Sequence, residues 1–181
     1  DLSGSADIFS LEEQMELYLL ETDAPLSQAA HALLARVLRG TYGITQPEFI
    51  IGPHGKPYLE NGPHFSISHT RGAVALAIGE HNMGLDIEAV RSFHQRVPER
   101  ILSQEEYDWF CSRGELKRDF FALWTLKESY YKYLGTGLRG FPNGTDFYFD
   151  GKQWHLEGEQ LTFRVMEKKN LLMTVCSHEQ E

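Results

Sequence analysis

Six residues, Met83-Gly84-Leu85-Asp86-Ile87-Glu88, constrain the fold of this chain more than any other stretch. Leu85 and Ile87 alternate with Asp86 and Glu88, which is the period of a strand with one apolar and one acidic face. Both carboxylates then point the same way, roughly 6–7 Å apart. A second stretch, Trp124-Thr125-Leu126-Lys127-Glu128-Ser129-Tyr130-Tyr131-Lys132, reads as a helix with Trp124, Glu128, Tyr131 and Lys132 along one side. If the helix faces the strand, Asp86, Glu88 and Glu128 converge on one hard divalent cation, with Lys127 and Lys132 beside it for a polyphosphate. Magnesium suits such a set, because it takes few carboxylates, keeps waters and shares its shell with substrate phosphates. Plainer readings stand next to this one. Asp-x-Glu on a strand is often a solvated sheet face, and Glu128 and Lys132 have the spacing of an i,i+4 surface ion pair.

Taken together and in this order, the two stretches resemble the 4′-phosphopantetheinyl transferases of the surfactin-synthetase-activating type. That family carries Gly-x-Asp-x-Glu followed by Trp-x-x-Lys-Glu-(Ala/Ser)-x-x-Lys, and both are matched in full here, as Gly84 to Glu88 and Trp124 to Lys132. An upstream family motif is present as Gly55-Lys56-Pro57 followed by Phe65-Ser66-Ile67-Ser68-His69. The resemblance runs from about Gly55 to Gly137.

The resemblance implies an α+β fold of two similar lobes related by a pseudo-twofold. Each is a small, mainly antiparallel sheet with helices, and the active site lies in the cleft between them. The boundary falls just before Gly84, giving lobes 1–83 and 84–181. The implied reaction moves the 4′-phosphopantetheine arm of coenzyme A onto a serine of an apo acyl- or peptidyl-carrier protein and releases 3′,5′-ADP. Carried over by position, magnesium falls to Asp86, Glu88 and Glu128. Ser68 and His69 fall to the nucleotide phosphates, Lys56 to the 3′-phosphate, and Lys132 to the pyrophosphate and its leaving group, while Lys127 serves either phosphate binding or only solvation. Glu106 aligns with a glutamate proposed to deprotonate the serine, but Ser103-Gln104-Glu105-Glu106 is also a capping box, so Glu106 serves either as base or as cap. His69 alone would be a half-buried strand histidine, and Lys56 alone an exposed loop lysine. One departure concerns the first long helix, where the family offers a basic residue and this chain has His31-Ala32-Leu33-Leu34.

Composition narrows the alternatives. The 181 residues carry a net charge of −9, which argues against a nucleic-acid surface and confines any anion site to a local basic patch. No apolar run reaches the length of a membrane span. Two cysteines without a Cys-x-x-Cys suit free thiols in a reducing cytosol. A cytoplasmic monomer is expected. The scattered histidines lack zinc spacing, and no P-loop is present. Two other functions stay open: another magnesium-dependent enzyme acting on phosphate esters, and a non-catalytic carrier-protein binder.

Along the chain, Ser10 to Glu13 reads as a capping box opening a helix through about Leu20. Ser27 caps a second helix, with Ala30, Leu33, Leu34, Val37 and Leu38 buried and Gly40 and Gly43 ending it. Strands are expected at 48–51, 64–70, 73–78 and 83–88, with Phe65 and Ile67 inward and Ser66 and Ser68 outward. A helical turn follows at Pro98, then helices from Ser103 and from Lys117 to Leu134, then four strands. Ile101, Leu102 and Tyr107 either line a groove for a carrier helix or pack the second lobe.

Overall fold

The chain opens on a hairpin, not a helix. In the computed structural model, which describes residues 4–12, 14–137 and 145–178, β1 (Asp7–Glu12) pairs antiparallel with β2 (Met15–Glu21). Met15, Leu17 and Leu19 of β2 enter one core, and Tyr18 and Leu20 enter another. Burial on both faces hides the two-residue period, and the local capping signature at Ser10 misleads; Glu13 itself lies outside the described residues. Helix α1 (Leu26–Tyr42) starts one residue before Ser27, from Pro25, without a side-chain cap. Its expected stripe is buried, Gly40 lies inside it, and Gly43 ends it at φ 68°.

A small hairpin follows, β3 (Phe49–Ile51) with β4 (Pro57–Leu59). Then β5 (His64–Thr70) and β6 (Ala73–Gly79) turn at Gly72, and β7 (Met83–Ala89) carries the acidic pair. The second half brings α2 (Val97–Ile101), α3 (Gln104–Ser112) and α4 (Lys117–Leu134), then β8 (Phe147–Phe149), β9 (Trp154–Leu156), β10 (Leu161–Lys168) and β11 (Leu171–His178). Gly135 closes α4 in the left-handed conformation.

The strands form an antiparallel sheet in the order β1-β2-β6-β5 and another in the order β7-β11-β10-β9-β8. Helix α1 covers the outer face of the first, through Leu33, Leu34, Val37 and Leu38. The inner face, with Leu17, Leu19, Ala75 and Ala77, packs on Leu85, Ile87, Met173 and Val175 of the second sheet. Helices α3 and α4 cover the far face through Phe110, Phe120, Leu123 and Leu126. The layers are therefore helix, sheet, sheet, helix. Ile101 and Leu102 are buried in the last core, so they pack the protein and do not line a groove.

The two sheets join along one edge by a device the sequence hides. Ser66, Ser68 and Thr70 of β5 do not face solvent: all three are buried. Their hydroxyls accept from the amides of Leu85 (3.0 Å), Ile87 (3.2 Å) and Ala89 (3.1 Å) on β7. The constant offset means that β5 and β7 run side by side in the same direction, with hydroxyls in place of carbonyls. Ser66 and Ser68 satisfy buried amides that would otherwise be stranded, and Thr70 a partly buried one. Ser66→Ala should therefore cost about 1–3 kcal/mol, the penalty of an orphaned buried donor. A urea melt checks this; an unchanged midpoint would show that Leu85 finds another acceptor.

Candidate active site

Gly84 sets the distance between α4 and β7. A Cβ there would lie 2.0 Å from the Ser129 carbonyl oxygen and 2.3 Å from the Tyr133 amide nitrogen. Only a residue without a side chain lets the last turns of the helix rest directly on the start of the strand. Glu128 and Lys132 are thereby carried to the acidic face of β7. Lys132 Nζ donates to Asp86 Oδ1 at 3.0 Å and to Ser68 Oγ at 2.9 Å. Ser68 Oγ in turn donates to Asp86 Oδ1 at 2.9 Å.

Asp86 is buried, and burial pushes its carboxyl upward while Lys132 and Ser68 pull the other way. Its second oxygen, Oδ2, is buried with no hydrogen-bond partner. Glu88, further along the strand, pairs with Arg91, and Thr70 Oγ1 lies 3.4 Å from it. Glu128 is pushed up to about 7, first by burial and then by the charge of Asp86. Among the described residues no three of these groups stand as a ready-made metal cage. The donor types nevertheless fit a hard cation: one buried oxygen of Asp86 has no partner, and the carboxyl of Glu128, raised first by burial and then by the charge of Asp86, lies near it.

The sign of the pH effect follows. The Glu128 carboxyl holds its proton in the folded chain up to about 7, against 4.5 ordinarily. Its stability contribution is thus complete below the unfolded value and lost as pH rises through about 7. Melting temperature should fall more steeply between pH 5 and 8 for the native chain than for Glu128→Gln; equal slopes would remove Glu128 from the acidic group.

Four other expected site residues have these surroundings. Glu106 and Lys127 form a fully buried ion pair at 2.8 Å, with side chains 0% and 1% exposed. Glu106 completes the capping box of α3 and also accepts from the Phe147 amide, while Lys127 donates to the Thr145 carbonyl. Glu106 is therefore a buried cap, and the Lys127 ammonium is buried with it. Lys56 has its donors on Asn82, Met83 and Lys132. His69 is exposed on β5 and alternates to the side opposite Ser68.

A cavity of about 270 Å³ opens beside Lys132, lined by Lys56, Pro57, Phe65, Ile67 and Tyr131 among others. Its walls suit an apolar organic arm, with Lys132 at one edge. A larger hollow, about 480 Å³, lies between Trp109, Arg118, Trp154 and Arg164, without any residue of the acidic group.

Residues 82–175, more than half of the chain, match the model of the 4′-phosphopantetheinyl transferase superfamily. The chain belongs to this family. It is 32% identical to the 4′-phosphopantetheinyl transferase gsp of Aneurinibacillus migulanus, over 67% of this chain and 53% of that protein. It is 33% identical to the L-aminoadipate-semialdehyde dehydrogenase-phosphopantetheinyl transferase of Candida glabrata, over 77% and 63%. With the 4′-phosphopantetheinyl transferase Sfp of Bacillus subtilis it shares 27%, over 70% and 59%. The chain thus spans between half and two-thirds of the length of these relatives. Asp86, Glu88, Glu106, Lys127, Glu128 and Lys132 fall inside the family match; Lys56, Ser68 and His69 precede it.

Sequence reasoning missed Ser66, Thr70, Asn82 and Arg91 as supports of the site. A signal was present for two of them, since Ser66-x-Ser68-x-Thr70 places three hydroxyls on one strand face. Nothing local marks Asn82, whose amide reaches the Tyr133 carbonyl at 2.9 Å.

Proposed function

We propose that the protein transfers the 4′-phosphopantetheine arm of coenzyme A to a serine of an apo acyl- or peptidyl-carrier protein. The observation that carries the reading is the meeting of Asp86, Ser68 and Lys132, with Glu128 near enough to feel the charge of Asp86 and with Lys132 also lining an apolar-walled cavity. In this reading the two sheets with their helices are the two lobes, 1–83 and 84–181, and the cleft lies where β5, β7 and α4 meet. Asp86, Glu128 and Glu88 would hold a magnesium ion. When bound, that ion would neutralise charge on the pyrophosphate oxygens.

The chain's own residues supply the rest. Lys132 places a cation where the departing phosphate gathers charge. The cavity beside it orients the pantetheine arm, so the reacting groups need no search. The serine oxygen attacks the β-phosphorus, the bond to 3′,5′-ADP breaks, and the serine proton passes to a base. Glu106 is locked in its buried pair, which leaves the proton to a water or to Glu128. Release of 3′,5′-ADP from coenzyme A tests the reaction: it should require an apo carrier protein and stop when the carrier's serine is replaced by alanine. Release at the same rate without carrier would make the chain a phosphate-ester hydrolase instead.

A further inference from the structure

Lys56 sits in the turn between β3 and β4, 76 residues from the helix end that it touches. Its ammonium has three protons and three acceptors: the Lys132 carbonyl at 2.8 Å, the Met83 carbonyl at 3.0 Å and Asn82 Oδ1 at 3.0 Å. Asn82 passes the connection on, donating through Nδ2 to the Tyr133 carbonyl at 2.9 Å. Two carbonyls in the last turn of α4 are therefore held by side chains from outside the helix. Helix ends leave such carbonyls without partners, and the partial negative charge there favours a cation. The acceptors around Lys56 are neutral, and burial pushes its ammonium down to about 8. The same Lys132 whose carbonyl Lys56 holds sends its own ammonium to Asp86.

We infer that Lys56, assisted by Asn82, is a positioning residue: it locks the last turn of α4 to the start of β7, so that Lys132 meets Asp86 and Ser68 in register. The kinetic consequence rests on the transferase reading above; the structural consequence does not. A lysine that instead bound the 3′-phosphate of coenzyme A would discriminate between donors with and without that phosphate. A lock would not, because it acts on the helix.

The test compares Lys56→Met, Lys56→Arg and Asn82→Ala with the native chain by two readouts. The first is hydrogen exchange at the amides of Tyr133 to Gly135, which needs no substrate. Exchange should speed about tenfold or more in Lys56→Met, the loss of a charge-assisted bond, and by a smaller factor in Asn82→Ala. Lys56→Arg, which keeps the charge and the donors, should exchange more slowly than Lys56→Met. The second readout is kinetics with coenzyme A and 3′-dephospho-coenzyme A. In Lys56→Met, kcat should fall about tenfold through misplacement of Lys132. The ratio of kcat/KM for the two donors should stay within about twofold of the native ratio, since no phosphate contact is lost. Unchanged exchange in both Lys56→Met and Asn82→Ala would overturn the lock, and so would a donor ratio that collapses toward one. If the native chain transfers nothing to a carrier, the transferase reading fails, and the exchange data still decide the lock.

Discussion

Lys127→Met should lower the stability of the protein by about 3–5 kcal/mol, because it strands a buried carboxylate. Glu106 has no exposed side-chain surface, and Lys127 is its cationic partner at 2.8 Å. The remaining bonds to Glu106, from the Ser103 and Phe147 amides, satisfy its oxygens but do not cancel its charge. For a chain of this size the loss amounts to roughly 6–20 °C in melting temperature. The double replacement Lys127→Met with Glu106→Gln should recover much of that loss. Glutamine can still reach back to the Ser103 amide, and no charge remains buried. Activity per folded molecule should change little in Glu106→Gln, because the residue holds α3 and β8 and does not face the cavity. A Lys127→Met protein that melts with the native one would show that Glu106 finds a cation elsewhere. A collapse of turnover in a stable Glu106→Gln would restore it as the base.

Asp86→Ala should act in the opposite way, with turnover down at least about a hundredfold, the scale of losing one preorganised charge at a reacting centre. Stability should be equal or higher. The carboxylate is buried, one of its oxygens has no partner, and Glu88 and Glu128 crowd it. Removing it relieves that repulsion and the cost of desolvation. Lys132, about a third exposed, can turn to water when its partner is gone. Rate and melting temperature measured on one preparation separate the two effects. Native turnover in Asp86→Ala would take Asp86 out of the chemistry.

How much of this was legible from sequence depends on how local the determinants are. Helix α4 was readable end to end, from Lys117 to Leu134, because its periodic apolar face and Gly135 are both local. Strand β7 was readable because its two faces differ so sharply. The meeting of Asp86 with Lys132 followed from family motifs more than from periodicity. The hairpin β1–β2 was not readable: β2 is buried on both faces, so its alternation vanishes. Ser66 and Ser68 were expected in solvent because serine on a strand face usually is. Their burial depends on β7 lying alongside β5, a pairing in which hydroxyls stand in for carbonyls. The partners of Lys56 were hidden for the same reason. Two of them are main-chain carbonyls, Met83 27 residues away and Lys132 76 residues away, and carbonyls leave no mark in a sequence. The pair Glu106–Lys127 is the converse case: two charged motif residues buried against each other, which no local pattern announces.

The most direct measurement is the intact mass of an apo carrier protein after incubation with this chain, coenzyme A and magnesium. The carrier should gain the mass of one phosphopantetheine arm at its reactive serine. The gain should vanish when magnesium is chelated or when Asp86 is replaced by alanine. A carrier of unchanged mass, with free phosphate or 3′,5′-ADP accumulating from coenzyme A, would contradict the transfer.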